Sequence, residues 1–230
     1  MSRILSETPL PQWTCLQIGR REHYSIPRSL HAKGQLFRML TDAWFPEKFW
    51  SKVLPSRIYG RLADRFHPQL ENARADAFSL NWLIRGSMMR KPRITNPWDL
   101  TIRRNNWFQD RCVQALSRLT PSTTDPTLFA YSYAALRPFE WAKANGWRTV
   151  LGQIDPGPCH EEVVAKATGN PELRELGPPD QYWKNWRREC SLADHIVVNS
   201  EWSADCLQKS GIDRRRIEVI PLAYETTYRC

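Results

Sequence analysis

The sequence lacks the signatures of several common chemistries. Its six cysteines, at 15, 112, 159, 190, 206 and 230, form no Cys-x-x-Cys pair, which removes zinc-ribbon and thioredoxin-type sites. No Gly-x-Gly-x-x-Gly follows a strand pattern, so glycine-rich dinucleotide binding is disfavoured, and no Gly-x-x-x-x-Gly-Lys-Ser/Thr exists, which excludes a P-loop. A Gly-x-Ser-x-Gly elbow and a His-Glu-x-x-His pair are also missing. No apolar run approaches the roughly 18 residues of a membrane span. Residues 1–13 carry Arg3, Glu7, Pro9 and Pro11 in place of the apolar segment of a secretory leader. With only 10 glycines in 230 residues, a glycine-rich low-complexity chain is excluded. We therefore expect a cytoplasmic protein with reduced, mostly buried thiols, no metal and no cofactor.

What is present points to a folded chain. Hydrophobic residues make up 41% and aromatics 11%, which rules out disorder. A chain of this length buries roughly 70–75% of its unfolded surface, enough for a core without disulfides. Thirty-three Lys and Arg against 24 Asp and Glu leave a net charge of +9. Such a charge is the electrostatic footprint of a nucleic-acid binder, but no helix-turn-helix, RRM or zinc-finger pattern accompanies it, so no nucleic-acid partner is expected. The positive charge is uneven. Residues 85–111 hold Arg85, Arg90, Lys91, Arg93, Arg103, Arg104 and Arg111 against Asp99 and Asp110, which is +5 of the +9. Met88, Met89, Trp98, Trp107 and Phe108 are interleaved with them. That combination suits peripheral contact with an anionic membrane or an acidic acceptor, and equally a solvated face whose aromatics enter the core.

Strands and helices alternate. Thr14–Ile18 reads as a strand closed by Gly19, a polar loop Arg20–His23 follows, and Ile26–Lys33 reads as a helix stopped by Gly34. Leu36–Leu40 is the next strand, completing a βαβ unit. Residues 46–75 hold two short helices broken by Pro46, Pro55 and Pro68, and 98–119 has apolar residues at helical spacing. The alternation resumes with strands at Thr127–Tyr131, Arg148–Ile154, His195–Asn199 and Ile217–Ile220. Helices are expected at Ala134–Asn145, Pro179–Ala193 and Glu201–Ser210, with Trp183, Trp186 and Trp202 packing into the core and Arg214–Arg216 in a solvated turn. This order predicts an α/β fold, a Rossmann-like parallel sheet with helices on both faces. In such sheets ligands bind outside the carboxyl ends of the strands. The candidates there are Gly19, Arg20, Arg21 and Glu22, then Asp42 to Trp44, Tyr131 and Tyr133, Asp155 in its Pro-Gly turn, and Ser200 with Glu201. His23 beside Glu22 reads as acid–base chemistry or as a solvated loop.

The stretch Leu192-Ala193-Asp194-His195-Ile196-Val197-Val198-Asn199-Ser200-Glu201-Trp202-Ser203, followed by Gly211 and Arg216 to Leu222, resembles the end of the amino-terminal domain of family-four glycosyltransferases. Leu16-Gln17-Ile18-Gly19 with its polar loop, and the turn Gly152 to Gly157, are similar to other parts of the same domain. The resemblance runs from about residue 14 to 225. It implies one half of a retaining enzyme of the GT-B fold, which transfers a hexosyl group from a nucleotide sugar to an acceptor. It further implies that a saccharide or lipid-linked acceptor binds this half, and that the donor binds a second domain. Basic side chains and helix N-termini then stabilise the leaving diphosphate without a metal.

Two departures bear on the site. Many family members carry His after the strand matching Leu128–Tyr131 and a His-Asp pair after the next strand; this chain has Tyr131, Tyr133 and Ile154-Asp155. Tyrosine hydrogen-bonds and stacks on sugars but is a poor base at neutral pH. Asp155 is left as the catalytic hydroxyl acceptor, or as a residue that fixes its turn. Gly19, Arg20, Arg21, Glu22, Trp44, Tyr131, Tyr133, Ser200 and Glu201 are the expected acceptor-binding residues, with Trp44 stacking on sugar. The expected organisation is an extension at 1–13, a Rossmann-like domain at 14–225 with a helical insert at about 46–120, and the start of an interdomain linker at 226–230. The Glu-x7-Glu region of the donor-binding domain does not occur, so the chain is expected to be inactive alone. The alternative is a non-catalytic α/β module that binds a saccharide or another partner.

Overall fold

A computed structural model describes residues 11–46, 52, 62–88, 97–121, 125–168 and 177–222. Seven strands form one sheet: β1 (Trp13–Gln17), β2 (Leu36–Thr41), β3 (Ala75–Ala77), β4 (Thr127–Tyr131), β5 (Arg148–Gly152), β6 (His195–Val198) and β7 (Ile217–Val219). Their spatial order is β3-β2-β1-β4-β5-β6-β7 and every pair is parallel. The order reverses between β1 and β4, where Cys15 sits opposite Phe129 and Leu16 opposite Ala130. The helices are α1 (Ser25–Ala32), α2 (Ser79–Met88), α3 (Pro97–Leu116), α4 (Leu136–Ala144), α5 (Pro158–Thr168), α6 (Asp180–Leu192) and α7 (Glu201–Lys209).

Side chains of a strand alternate between faces, and the alternation divides the core. Leu128 and Ala130 of β4 join Leu16, Leu40, Leu151 and Ile196 under α3, α4, α6 and α7, around Phe108, Phe139, Trp186 and Leu207. Phe129 and Tyr131 face the other way with Cys15 and Val150, where Ile26 and Leu30 of α1 cover them. All five residues of β4 are buried, as expected for a central parallel strand covered on both faces. The Rossmann-like α/β fold with helices on both faces is therefore present.

Several expectations change. The strand β3 inside the region read as helical is three residues, Ala-Asp-Ala, too short and too weak in β propensity to signal itself. Main-chain pairing of Met39 with Ala75 and an Arg38–Asp76 ion pair at 3.2 Å hold it at the sheet edge. Cys159 of α5 and Cys206 of α7 form a disulfide, Cα atoms 5.8 Å apart, so the thiols are not all reduced; Cys15, Cys112 and Cys190 are free and buried. Trp186 is in the core but Trp202 is 47% exposed, because it lies in the first turn of α7 while Ala204 and Leu207 face inward. Arg214–Arg216 is not a merely solvated turn. Arg216 donates to the Cys190 and Ala193 carbonyls at the end of α6, Arg214 donates to the Ile217 carbonyl, and Arg215 pairs with Asp213. Arg216 thus serves carbonyl acceptors at the end of α6. No helix among the described residues is long and apolar enough to cross a membrane. Of the basic stretch 85–111, residues 89–96 lie outside the described residues, as do 1–10 of the extension and 226–230 of the linker.

Candidate functional site

The crevice at the carboxyl ends of β1 and β4 is where such a sheet binds ligands. The loop after β1 begins at Gly19, whose φ of +73° suits glycine. A Cβ there would make only ordinary contact, 3.5 Å from an Arg65 guanidinium nitrogen, so conformation and not space requires the glycine. The Gly19 N–H donates to Asp42 Oδ1 at 2.8 Å. Asp42 follows β2, is fully buried, and also accepts from Arg65 at 2.8 and 3.0 Å and from Arg104 at 3.2 Å. One carboxylate thus holds two guanidiniums, and Arg65 additionally lies over the Trp82 ring at 5.3 Å. Three elements far apart in sequence are joined at this one buried charge. Arg20 lies beside them and pairs with Asp64 at 2.7 Å on the surface.

The next three residues, Glu22, His23 and Tyr24, have φ of 50°, 50° and 60°. Non-glycine residues in that region cost on the order of 1–3 kcal/mol each, so the surroundings must hold the loop in place. Gln17 supplies one anchor, donating to the Arg21 carbonyl at 2.9 Å. Glu22 supplies another: its Oε2 accepts from Tyr131 Oη at 3.1 Å and from Ser25 Oγ at 3.3 Å. The Arg21 guanidinium lies 5.4 Å from the Tyr131 ring centre. Arg21, Glu22 and Tyr131 are thus brought together across the β1–β4 switch. Burial, and then the Glu22 carboxylate, push the Tyr131 phenol far above its ordinary value, so it acts as a hydrogen-bond donor.

Tyr133 and Asp155 form the second cluster, after β4 and β5. Tyr133 Oη donates to Asp155 Oδ1 at 2.6 Å, and the Gly157 N–H donates to the same oxygen at 2.8 Å. Gln153 donates to the Asp155 carbonyl at 2.8 Å and accepts from the Trp186 indole at 3.1 Å. Asp155 therefore does fix its turn, and it also faces a tyrosine. Burial, then Asp155, keep the Tyr133 phenol protonated, so it is no base. Tyr133 itself sits at φ +70°. Its N–H donates to Glu189 Oε2 at 2.7 Å, while Ala135 and Leu136 donate to Glu189 Oε1 at 2.9 and 3.0 Å. Glu189 of α6 is 1% exposed and caps the start of α4. Burial raises its pKa to about 7, against the lowering effect of the three backbone donors.

Three expected residues stand elsewhere. Trp44 is buried to 9% exposure between Tyr24 and Phe66, with ring centres 5.3 and 5.1 Å away, and its rings form core instead of an open platform for a sugar. Ser200 caps α7 by accepting from the Ser203 N–H at 3.2 Å. Glu201 pairs with Arg214 at 3.3 Å. The sequence reading missed Arg65, Arg104 and Glu189 as site residues, and it placed Asp42 among the strand-end candidates without giving it a role. Glu189 had a signal: an acid at helical spacing with Trp186 and Cys190 lies on the apolar face of α6. Arg65 and Arg104 had none, because only the fold brings them to Asp42. No group of His, Cys, Asp and Glu suited to a metal occurs among the described residues.

Comparison with known proteins bears on the fold. No protein-family model and no curated protein matches the sequence. Among solved structures, LpCGTa in complex with UDP matches at 12% identity and a TM-score of 0.50, covering 95% of this chain and 55% of that one. Anabaena Alr3699/HepE in complex with UDP and glucose matches at 12% identity and 0.49, over 94% and 45%. UDP-GlcNAc 2-epimerase from Neisseria meningitidis bound to UDP-GlcNAc matches at 12% identity and 0.46, over 91% and 46%. The chain spans about half the length of the solved proteins it matches, and at 12% identity what it shares with LpCGTa is the fold alone.

Proposed function

We propose that the chain is the acceptor-binding half of a GT-B glycosyltransferase that transfers a hexosyl group from a nucleotide sugar. The observation that carries the reading is the gathering of Arg21, Glu22 and Tyr131 with Tyr133 and Asp155 at the carboxyl edge of the sheet. The family-four motifs around Asp194–Ser203, and a fold spanning about half of LpCGTa, support it. In this reading a saccharide or lipid-linked acceptor lies across the β1–β4 switch. Asp155 accepts a hydrogen bond from the attacking hydroxyl, with Tyr133 positioning the carboxylate. Arg21 and Glu22 orient neighbouring hydroxyls by directional hydrogen bonds. Transfer requires a donor-binding second domain facing this edge.

A direct test is acceptor affinity of the chain and of Asp155→Asn, Glu22→Gln and Tyr133→Phe, measured against saccharides of several types. Weakening by about tenfold in each variant is expected, since each loses one hydrogen bond to or behind the ligand. Unchanged affinity in all three overturns the assignment. A non-catalytic saccharide-binding module is the second reading. One observation favours it: Asp155 Oδ1 is already engaged by Tyr133 and Gly157.

A further inference from the structure

A cavity of about 220 Å³ opens between the middle of α3, the start of α4 and one face of α6, next to Tyr133. Its lining is unusually rich in carboxamides: Asn105, Asn106 and Gln109 come from α3 and Asn185 from α6. Among the described residues, the Asn105 and Asn106 amides have no side-chain partner. Gln109 and Asn185 are oriented. The Arg137 N–H donates to Gln109 Oε1 at 3.0 Å, and Gln181 donates to Asn185 Oδ1 at 2.8 Å. The apolar wall is Tyr182, stacked on Tyr133 at 4.8 Å and 16°, together with Trp186.

We propose that this cavity is a subsite for one neutral sugar ring, and the proposal rests on the acceptor-binding reading above. A carboxamide presents a donor and an acceptor in one plane, which matches two adjacent hydroxyls, and an aromatic face suits the C–H side of a pyranose. Charge argues against a phosphate. The cation in the lining, Arg137, is ion-paired with Asp110, and the acid at the floor, Glu189, already receives three N–H groups. Size argues against a nucleotide sugar, because about 220 Å³ is below the roughly 300–1,000 Å³ of sites that hold drug-sized ligands. Tyr133 lines the cavity and also touches Asp155, so a ring held here is next to the proposed attack site.

The test is NMR of the full 230-residue chain titrated with glucose, galactose and N-acetylglucosamine, with inorganic phosphate and UDP as contrasts. Expected is a saturable shift of the Trp186 indole N–H and the Asn185 amide with at least one sugar. Binding should weaken at least tenfold in Asn105→Ala/Asn185→Ala, whose fold is checked by urea unfolding. Should that variant lose stability, the milder Asn105→Asp, which places an anion on the lining, is read in the same way. No response to any sugar at these signals overturns the proposal, as does a response to phosphate or UDP there. Sugar binding that Asn105→Ala/Asn185→Ala leaves intact but Asp155→Asn abolishes overturns the subsite alone and leaves the acceptor reading standing.

Discussion

Replacing Glu189 by Gln removes a deeply buried acid of the site and gives a signed expectation about pH. The carboxyl rises from an ordinary 4.5 to about 7, first because it is buried, with the Ala135, Tyr133 and Leu136 N–H groups pulling the other way. An acid whose pKa is raised on folding binds its proton more tightly in the native state. Its contribution is therefore most favourable below about pH 4.5 and is lost as pH rises through about 7. At about 1.4 kcal/mol per pH unit, the gap amounts to about 3 kcal/mol. Glutamine does not titrate. It also turns an N–H₂ toward the Tyr133 N–H, at a pH-independent cost of about 1–3 kcal/mol. Urea unfolding of both proteins, followed by tryptophan fluorescence between about pH 4.5 and 8, separates the two effects. Wild type should lose about 3 kcal/mol relative to Glu189→Gln across that range, while other carboxylates cancel in the difference. A difference that stays flat, or that grows in favour of wild type as pH rises, would mean that folding does not raise the Glu189 carboxyl.

Asp42→Ala should cost about 2–4 kcal/mol in the same unfolding assay. It strips the partner from Arg65 and Arg104 and frees Gly19, although the half-exposed Arg104 recovers water and holds the loss toward the low end. Gly157→Ala should destabilise by at least about 1–3 kcal/mol and alter the Trp186 emission, because a Cβ at φ +70° would sit 2.8 Å from the Trp186 ring. Thiol titration of the denatured chain should count at least two more thiols after reduction than before it; no increase on reduction contradicts the Cys159–Cys206 pair.

Local pattern made most of the fold readable. The strand from Thr127 is buried throughout and that from Arg148 is buried after its first residue, the apolar residues of those from His195 and Ile217 are mostly buried, and glycines such as Gly34 and Gly211, at φ +68° and +88°, mark where helices stop. The edge strand Ala75–Ala77 was not readable, because its pairing to β2 is a long-range fact that three small or acidic residues cannot announce. The same division runs through the site. The strand-end rule places Glu22, Tyr131, Tyr133 and Asp155 together without any structure, since it depends only on strand order and direction. Trp44 stands at a strand end too, but Tyr24 and Phe66 close over it from segments whose packing no local signal reveals. Ser200 and Glu201 sit at the right edge and are spent on capping α7 and pairing with Arg214. Residues recruited from a distance, Arg65 and Arg104 to Asp42 and the carboxamides of α3 to α6, depend on tertiary folding alone.

The proposed function assigns the acceptor side of a transferase, and not its donor side, to these 230 residues. The most direct measurement incubates the purified chain with acceptor saccharides and a panel of nucleotide sugars, following donor release and the NMR signals of Tyr131 and Tyr133 in the same samples. Expected are saccharide-dependent shifts at those tyrosines with no donor hydrolysis or transfer near the roughly 1–10³ s⁻¹ of ordinary enzymes. Turnover by the chain alone, or a nucleotide sugar that binds it while no saccharide does, rules out an acceptor-side role.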